Sequence, residues 1–537
     1  MPGWSFADVY EVVAEKLPDA PAQIQGKRVV TWGDFDRRAD GIAKTLLDGG
    51  AKHQDKVAHY LYNCPEYMEA MFAMFKAGLV PVNTNYRYGD DELVYLWDNA
   101  DAVAVVFHGC FAERLEGVRG RVPLVKTWLW VDDGSGPCPD WAIDYETAAA
   151  SATERTIAPW GRDGDDLLFL YTGGTTGMPK GVMWHQHDLF RVLNPPSGLD
   201  YGEEPDLDKV RELCTQAGLK AMPAAPLMHG TGMFTALSTL TSGGCTVTLT
   251  ARSFDPVELL ETVERDGVNA IAWVGDAFCK PVLRALDDQP GKWDISSLRL
   301  ITSSGVMWSE ETKQGLFKHH PAMIIADSFS SSEALGLGAS MSTAGGTPAT
   351  AKFVLGDSAR VISDDGRDVE PGSGEIGRVA VKGRGVPVGY YKDEAKSAAT
   401  FLIIDGERYS VPGDYATIET DGSLTLLGRG SVCINTGGEK VFPEEVEEVL
   451  KRHPGITDAV AVGVPDEKFG EAITAVVEAK PGASLDERDV IAHVKAALAA
   501  YKAPKRVLVV DSINRAPNGK VDYQGVRARA LAALGLE

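Results

Sequence analysis

Apolar and polar positions alternate along this chain with two different periods. Residues 35–50 carry apolar side chains at helical spacing and stop at Gly49-Gly50, a helix ending in a residue type that tolerates left-handed backbone. Asp101 to Phe107 (DAVAVVF) and Leu167 to Tyr171 (LLFLY) are short apolar runs with the length of buried strands. Helical and strand patterns continue to alternate through the first 430 residues, which predicts layered α/β architecture. The run YMEAMFAMFKAGLVPV is the most apolar stretch, but Glu69 and Lys76 interrupt it before it could span a bilayer. The N-terminal residues are acidic and lack a long apolar core, so no signal peptide is expected.

Residues 194–220 break the alternation. They begin with two prolines, turn charged and read as helical from Asp206. The expectation is a solvated surface insertion; the alternative is a subunit contact, which would make the protein a homodimer. Farther on, Asp421-Gly422 marks a turn and Gly428-Arg429-Gly430 a flexible junction. The segment after it holds 14 basic and 16 acidic residues, so nearly all of the net charge of −23 lies before it. That asymmetry predicts a large domain over residues 1–428 and a separate small α+β domain over 429–537.

Composition narrows the function classes. At 537 residues, with 44% hydrophobic and 24% charged residues, the chain is an ordinary multidomain globular protein. Its acidity disfavours nucleic acid and anionic membranes as partners. Seven scattered cysteines without a CxxC pair fit a reducing, cytoplasmic location.

The chemistry concentrates in YTGGTTGMPKG, Tyr171 to Gly181, directly after a predicted strand. Gly173, Gly174 and Gly177 let the backbone turn its N–H groups toward a bulky anion. Thr172, Thr175 and Thr176 add hydroxyls, and Lys180 adds charge. It is not a Walker A loop, because Met178-Pro179 stands where Lys-Ser/Thr is required. Nor does a Gly-x-Ser-x-Gly elbow appear that would point to a hydrolase.

This segment resembles the phosphate loop of the acyl-adenylate-forming superfamily, which includes acyl-CoA synthetases, and further matches in the same order extend the resemblance over the whole chain. The closest branch is that of acyl-CoA synthetases acting on fatty or bulky acids. The resemblance implies an ATP-dependent ligase that uses Mg²⁺ and coenzyme A and forms acyl-AMP and then a thioester. It implies that Phe329 stacks on adenine, Asp327 accepts from the adenine amino group and Glu333 ligates Mg²⁺, with Ser328 and Ser332 beside them. Gly305 and Val306 would border the adenine. Asp414 would grip the ribose, with Arg429 as a second contact. Lys520, in the segment RAPNGK, corresponds to the catalytic lysine, although a lone lysine near a C-terminus is ordinarily a solvated side chain. Ser431 falls at the hinge. Gly437, Gly438 and Lys440, with Lys502, Lys505 and Arg506, are candidates for CoA. His229, in PLMHGTG, is carried over as a catalytic residue beside the acyl pocket, whose wall would be Met228, Met233, Trp273, Val274 and Phe278; the alternative for these five is plain core packing. Two rival readings stay open, an acyl-AMP ligase serving a carrier protein and a silent nucleotide-binding scaffold.

Overall fold

In the computed structural model, residues 3–174, 177–306, 308–436, 439–466, 469–516 and 519–536 are described. Their strands form three sheets. The alternation predicted by the sequence is present: the helix Trp32–Asp48 ends at Gly49, the strand Ala102–His108 pairs in parallel with Lys56–Tyr60, and Leu167–Gly174 follows in the same sheet. The helix starts three residues before its apolar periodicity does, because Thr31 Oγ1 accepts from the Asp34 N–H and caps it there.

The eight-stranded sheet runs from the edge strand Gly389–Tyr390 through the hairpin Gly177–His185 and Leu167–Gly174 to the parallel strands Val80–Asn83, Lys56–Tyr60, Ala102–His108 and Thr127–Val131. The fifteen-stranded sheet places Lys220–Pro223, Ala270–Trp273, Leu300–Ser304 and Ile324–Ser331 side by side in parallel, then turns antiparallel through Ala334–Ser342 and Lys352–Leu355 to the hairpin Asp414–Ile418 with Leu424–Arg429. Parallel strands covered on both faces explain the uninterrupted apolar runs in the sequence.

The helix Pro65–Lys76 is buried along its whole length, as an all-round apolar helix must be. Its three charges are matched, Glu66 by Arg28 and the other two inside the core. Lys76 Nζ meets Glu11, Asp36 and Asp40 at 2.9, 2.6 and 2.8 Å, and Glu69 meets Arg38 at 2.9 Å. No helix among the described residues is long and apolar enough to cross a membrane.

The 194–220 segment is not a solvated excursion. Its helix, Leu207–Leu213, is capped by Asp206 as the sequence suggests, yet Tyr201, Val210 and Cys214 are buried. Tyr201 Oη donates to Thr241 O at 2.9 Å, and Trp4 Nε1 donates to Gly202 O at 3.2 Å, so the segment is stitched to the helix Gly230–Thr241 and to the N-terminal residues.

The third sheet, starting at Ile434, is a compact unit with helices Pro443–Lys451, Glu487–Ala497 and Tyr523–Leu534. The segment before it is less flexible than its glycines suggest. Gly428 and Arg429 close a strand, and a methyl group on Gly428 would collide with the Glu444 carboxylate of the first of these helices.

Candidate active site

The phosphate-loop sequence folds into a hairpin. Thr172 pairs with Lys180 and Gly174 with Gly177, so the lysine stands on the return strand opposite the first threonine. Thr175 and Thr176, at the tip, lie outside the described residues. Asn83, fully internal, anchors the hairpin's base. Its amide donates to Tyr171 O at 2.9 Å and Met228 O at 2.7 Å, and its oxygen accepts from the Tyr171 N–H at 2.6 Å. One side chain therefore locks the phosphate loop to the turn that carries His229. The edge strand Gly389–Tyr390 pairs with the return arm, and Lys180 Nζ forms an ion pair with Asp393 Oδ2 at 2.9 Å just beyond it.

Around this hairpin the structure gathers residues that are far apart in sequence. Lys520 Cε lies 4.0 Å from where a methyl group on Gly305 would sit. Crowding by protein lowers the Lys520 pKa and the Arg429 guanidinium lowers it further, while Glu333 and Asp414 act in the opposite sense. Lys520 nonetheless keeps solvent contact, so the cavity it occupies is open. The same lysine bears on His229, whose pKa is pushed down to about 3, chiefly by burial. The imidazole is therefore neutral at physiological pH. Val306 follows Gly305 at the same strand end and is partly buried.

Asp414 faces Arg429 across the hairpin register, and Arg429 Nε donates to Asp414 Oδ1 at 3.2 Å. Asp414 Oδ2 is buried with no hydrogen-bond partner among the described residues. A buried, unmatched carboxylate oxygen is costly and marks a place where a donor is expected to arrive. Burial raises the Asp414 pKa while Arg429 opposes that shift. Glu333 is half buried; its Oε1 accepts from Tyr390 Oη at 3.0 Å and its backbone carbonyl from Ser410 Oγ at 2.5 Å. Ser332 O accepts from Trp184 Nε1 at 3.2 Å.

Not every expected contact is available. Strand Ile324–Ser331 alternates faces, which puts Asp327 and Phe329 together on its buried side. Asp327 is held by the buried Lys313 at 3.2 Å, with burial lifting its pKa to about 6 despite that lysine. Phe329 is 7% exposed and packs 5.5 Å from Phe353. Neither group stands open to an adenine in this arrangement; Ser328 and Ser330 occupy the other face, with hydroxyls 3.4 Å apart.

Met228, Met233, Trp273, Val274 and Phe278 are all buried, the last three within one core cluster, so the structure places them as packing first. Phe278 alone also lines an adjoining cleft of about 470 Å³ with Pro223, Pro226, Phe254, Arg252 and Arg515. This cleft opens into a larger groove of about 790 Å³ through Tyr62, Tyr86, Arg87 and Arg252. Apart from Phe278, no motif in the sequence flagged these aromatic and basic residues, because they come from five separate segments.

Ser431 lies in the short turn Gly430–Val432 between the two parts, and Lys440 is on the strand Glu439–Val441. Gly437 and Gly438 lie outside the described residues. Lys502 Nζ donates to Glu445 Oε2 at 2.5 Å, and Lys505 Nζ lies 5.0 Å over the Phe469 ring. Lys502 is therefore already neutralised within its own domain, while Arg506 sits on the strand Arg506–Val510.

Comparison with known proteins agrees with this layout. Residues 10–391 match the family of AMP-binding enzymes, and residues 445–520 match the AMP-binding enzyme C-terminal domain. The 3-oxocholest-4-en-26-oate–CoA ligase of Rhodococcus rhodochrous is 40% identical over 97% of this chain and 95% of its own length. The medium/long-chain-fatty-acid–CoA/3-oxocholest-4-en-26-oate–CoA ligase of Mycolicibacterium smegmatis is equally similar, at 40% over the same shares. Among solved structures, ATP-bound MatB from Rhodopseudomonas palustris superposes with a TM-score of 0.79 at 26% identity, covering 97% of this chain and 98% of that one. The anthranilate CoA ligase AuaEII, solved with anthranoyl-AMP, has the same fold, with a TM-score of 0.84 at 21% identity over 100% and 99% of the two chains. With residues 10–391 and 445–520 matched in order, and relatives 40% identical along nearly the whole chain, the chain belongs to the family of AMP-binding enzymes.

Proposed function

We propose that this chain is an AMP-forming acyl-CoA synthetase for a medium- to long-chain or bulky carboxylic acid, including the steroid side-chain acids that its relatives are named for. The observation that carries the reading is the convergence of Lys520, Arg429, Asp414 and Glu333 beside Gly305 and His229. A scaffold that merely binds nucleotide has no need of a lysine set among Glu333, Asp414 and Arg429 at that point.

In the first half-reaction a carboxylate oxygen of the acid attacks the α-phosphorus of ATP. The new O–P bond forms as the bond to the bridging oxygen breaks, and pyrophosphate leaves with that electron pair. The chain's task is positioning and charge compensation. Lys180 and the hairpin N–H groups would hold the phosphates, Lys520 the developing charge at the reacting end, and Asp414 Oδ2 a ribose hydroxyl. The fit to Mg²⁺ rests on the Glu333 carboxylate, an oxygen donor of the kind a hard cation prefers. When bound there, the ion neutralises phosphate charge. Neutral His229 supplies no positive charge to the acyl side, which suits an uncharged, apolar acid.

In the second half-reaction the CoA thiolate attacks the acyl carbonyl carbon and the C–O bond to AMP breaks. We place the domain boundary between residues 428 and 429 with the pivot at Ser431, so that rotation withdraws Lys520 and brings the Asn435–Lys440 hairpin toward the acyl-adenylate. The cleft running from Phe278 past Arg252 and Arg87 supports an acceptor with an anionic, aromatic head, which CoA has. The sequence-based candidate Lys502 is less suited than these arginines, being paired with Glu445. The acidic composition and the scattered cysteines, with no CxxC pair, support a cytoplasmic protein working on small molecules. Since 194–220 packs on its own domain, a homodimer would use another face, and light scattering decides that point.

The test combines purified protein, ATP and Mg²⁺ with short, long, aromatic and steroid-type acids, following acyl-AMP and acyl-CoA by mass spectrometry with and without CoA. Acyl-CoA from the long or steroid acids is the expected result. Acyl-AMP without thioester would support delivery to a carrier protein, and no product with any acid would end the enzyme reading.

A further inference from the structure

Tyr390 touches both ends of the phosphate-binding machinery at once. Its hydroxyl donates to Glu333 Oε1 at 3.0 Å, and its ring lies 5.7 Å from Lys180 Nζ. We propose that Tyr390 is a positioning residue that orients the Glu333 carboxylate for a divalent cation while cradling the phosphate-loop lysine; the proposal rests on Glu333 being the cation ligand.

The geometry is built from the backbone outward. Tyr390 sits on the two-residue edge strand that pairs, through Val182, with the return arm of the phosphate hairpin. Its own N–H donates to Ser397 Oγ at 2.9 Å, and that hydroxyl donates to Asp393 O at 2.8 Å, which ties the strand to the helix Glu394–Thr400. The ring is 7% exposed and rests 5.6 Å from Phe401. A side chain clamped at both its backbone and its ring can hold a partner in one orientation. Burial, and then the Glu333 charge, raise the phenol pKa, so the hydroxyl stays protonated and remains a donor. With one Glu333 oxygen engaged in this way, the carboxylate rotamer is defined before any cation arrives.

Lys180 completes the arrangement. Its ammonium rests on Asp393 at 2.9 Å and over the face of Tyr390, a cation–π contact that sequence-neighbouring charges do not disturb. An incoming phosphate then displaces a carboxylate, not solvent alone, while the ring keeps the lysine in place. Glu333 and Lys180 are 153 residues apart in the chain, and Tyr390 touches both.

The experiment compares the full-length wild type with Tyr390→Phe, Glu333→Gln and the double variant. Mn²⁺ binding is titrated by electron paramagnetic resonance in the presence of a non-hydrolysable ATP analogue, and the Mg²⁺ dependence of acyl-AMP formation is measured in parallel. Tyr390→Phe keeps the ring over Lys180 and removes only the donor. It is expected to weaken Mn²⁺ binding about 10-fold, within the range found when a partner of a metal ligand is lost, and to raise the Mg²⁺ requirement by a similar factor while kcat at saturating Mg²⁺ stays close to wild type. The double variant should bind Mn²⁺ no more weakly than Glu333→Gln alone. If Glu333→Gln weakens Mn²⁺ binding and Tyr390→Phe does not, Tyr390 is merely structural and the proposal fails. If Glu333→Gln itself leaves Mn²⁺ binding unchanged, the reading of Glu333 as ligand fails and takes the proposal with it.

Discussion

Arg429 Nε donates to Asp414 Oδ1 at 3.2 Å, and the other oxygen of that carboxylate is buried with no hydrogen-bond partner among the described residues. The arginine uses up one side of the acid and leaves the other to a ligand. Asp414→Asn replaces an acceptor by an amide that can still face Arg429 through its oxygen but turns N–H groups toward the ligand. The expected outcome is a KM for ATP raised by one to two orders of magnitude, since a hydrogen bond to a charged group is worth about 1.5–3 kcal/mol. Nucleotide binding by titration calorimetry checks this, and an unchanged KM would remove Asp414 from the ribose pocket.

Lys520 reaches the site only because its domain is docked. Lys520→Ala should lower acyl-AMP formation by about 10²–10³, the usual cost of removing one charge-stabilising contact. When acyl-AMP is supplied ready-made, its conversion to acyl-CoA should fall far less, because the lysine is withdrawn for that step. Equal losses in both half-reactions would contradict a rotating C-terminal domain.

Much of this was readable from the chain. Contiguous signatures carried their own information: residues 171–181, Asp414 and Lys520 each stand in a short motif that could be picked out before folding. What was not readable depends on direction and on distance. Asp327 and Phe329 were expected on the adenine, but the two-residue period of a strand puts both on the face occupied by Lys313 and Phe353. Lys502 reads as a free charge until Glu445 is folded against it. Asn83 and Tyr390 stand in no functional motif, since what they do consists of contacts with residues tens of positions away. Gly428 reads as a loose joint, whereas it is a close approach to Glu444.

Gly519 precedes the lysine with φ at +73°, and an added methyl group there would lie 3.0 Å from Ala277 Cβ at the start of the helix Gly275–Asp288. Gly519→Ala is strained by its backbone and crowded by its neighbour, at a cost of about 1–2 kcal/mol. Because the proposed rotation would relieve the crowding against Ala277, though not the backbone strain, the variant should resemble Lys520→Ala qualitatively: adenylation slows by about 10-fold, with thioester formation from supplied acyl-AMP less affected. Equal slowing of both halves would indicate a local folding defect instead.

The Glu444 contact makes domain docking sensitive to pH. Its Oε2 is buried without a partner among the described residues. Burial lifts its pKa from the ordinary 4.5 to about 8, with Glu447 on the same helix and Asp414 across the junction adding to the rise and the N–H groups of Glu444 and Arg429 opposing it. Tyr523 faces the pair from the C-terminal helix and donates to Glu447, while Lys451 and Arg515 draw on Glu447. A docked carboxyl with a raised pKa holds a proton that the undocked one releases. Docking is therefore fully favoured below about pH 4.5 and is weakened as pH rises through about 8. Acyl-AMP formation, which needs Lys520 docked, should decline over that window relative to thioester formation from supplied acyl-AMP. Glu444→Gln keeps the shape and has no proton to lose, so its ratio of the two half-reactions should vary with pH by about 10-fold less than that of the wild type, the equivalent of one pKa unit. Stopped-flow measurement of each half-reaction across the window decides it: superimposed wild-type and Glu444→Gln profiles would show that the junction carboxyl does not govern docking, and that the pH dependence belongs to Lys520 itself.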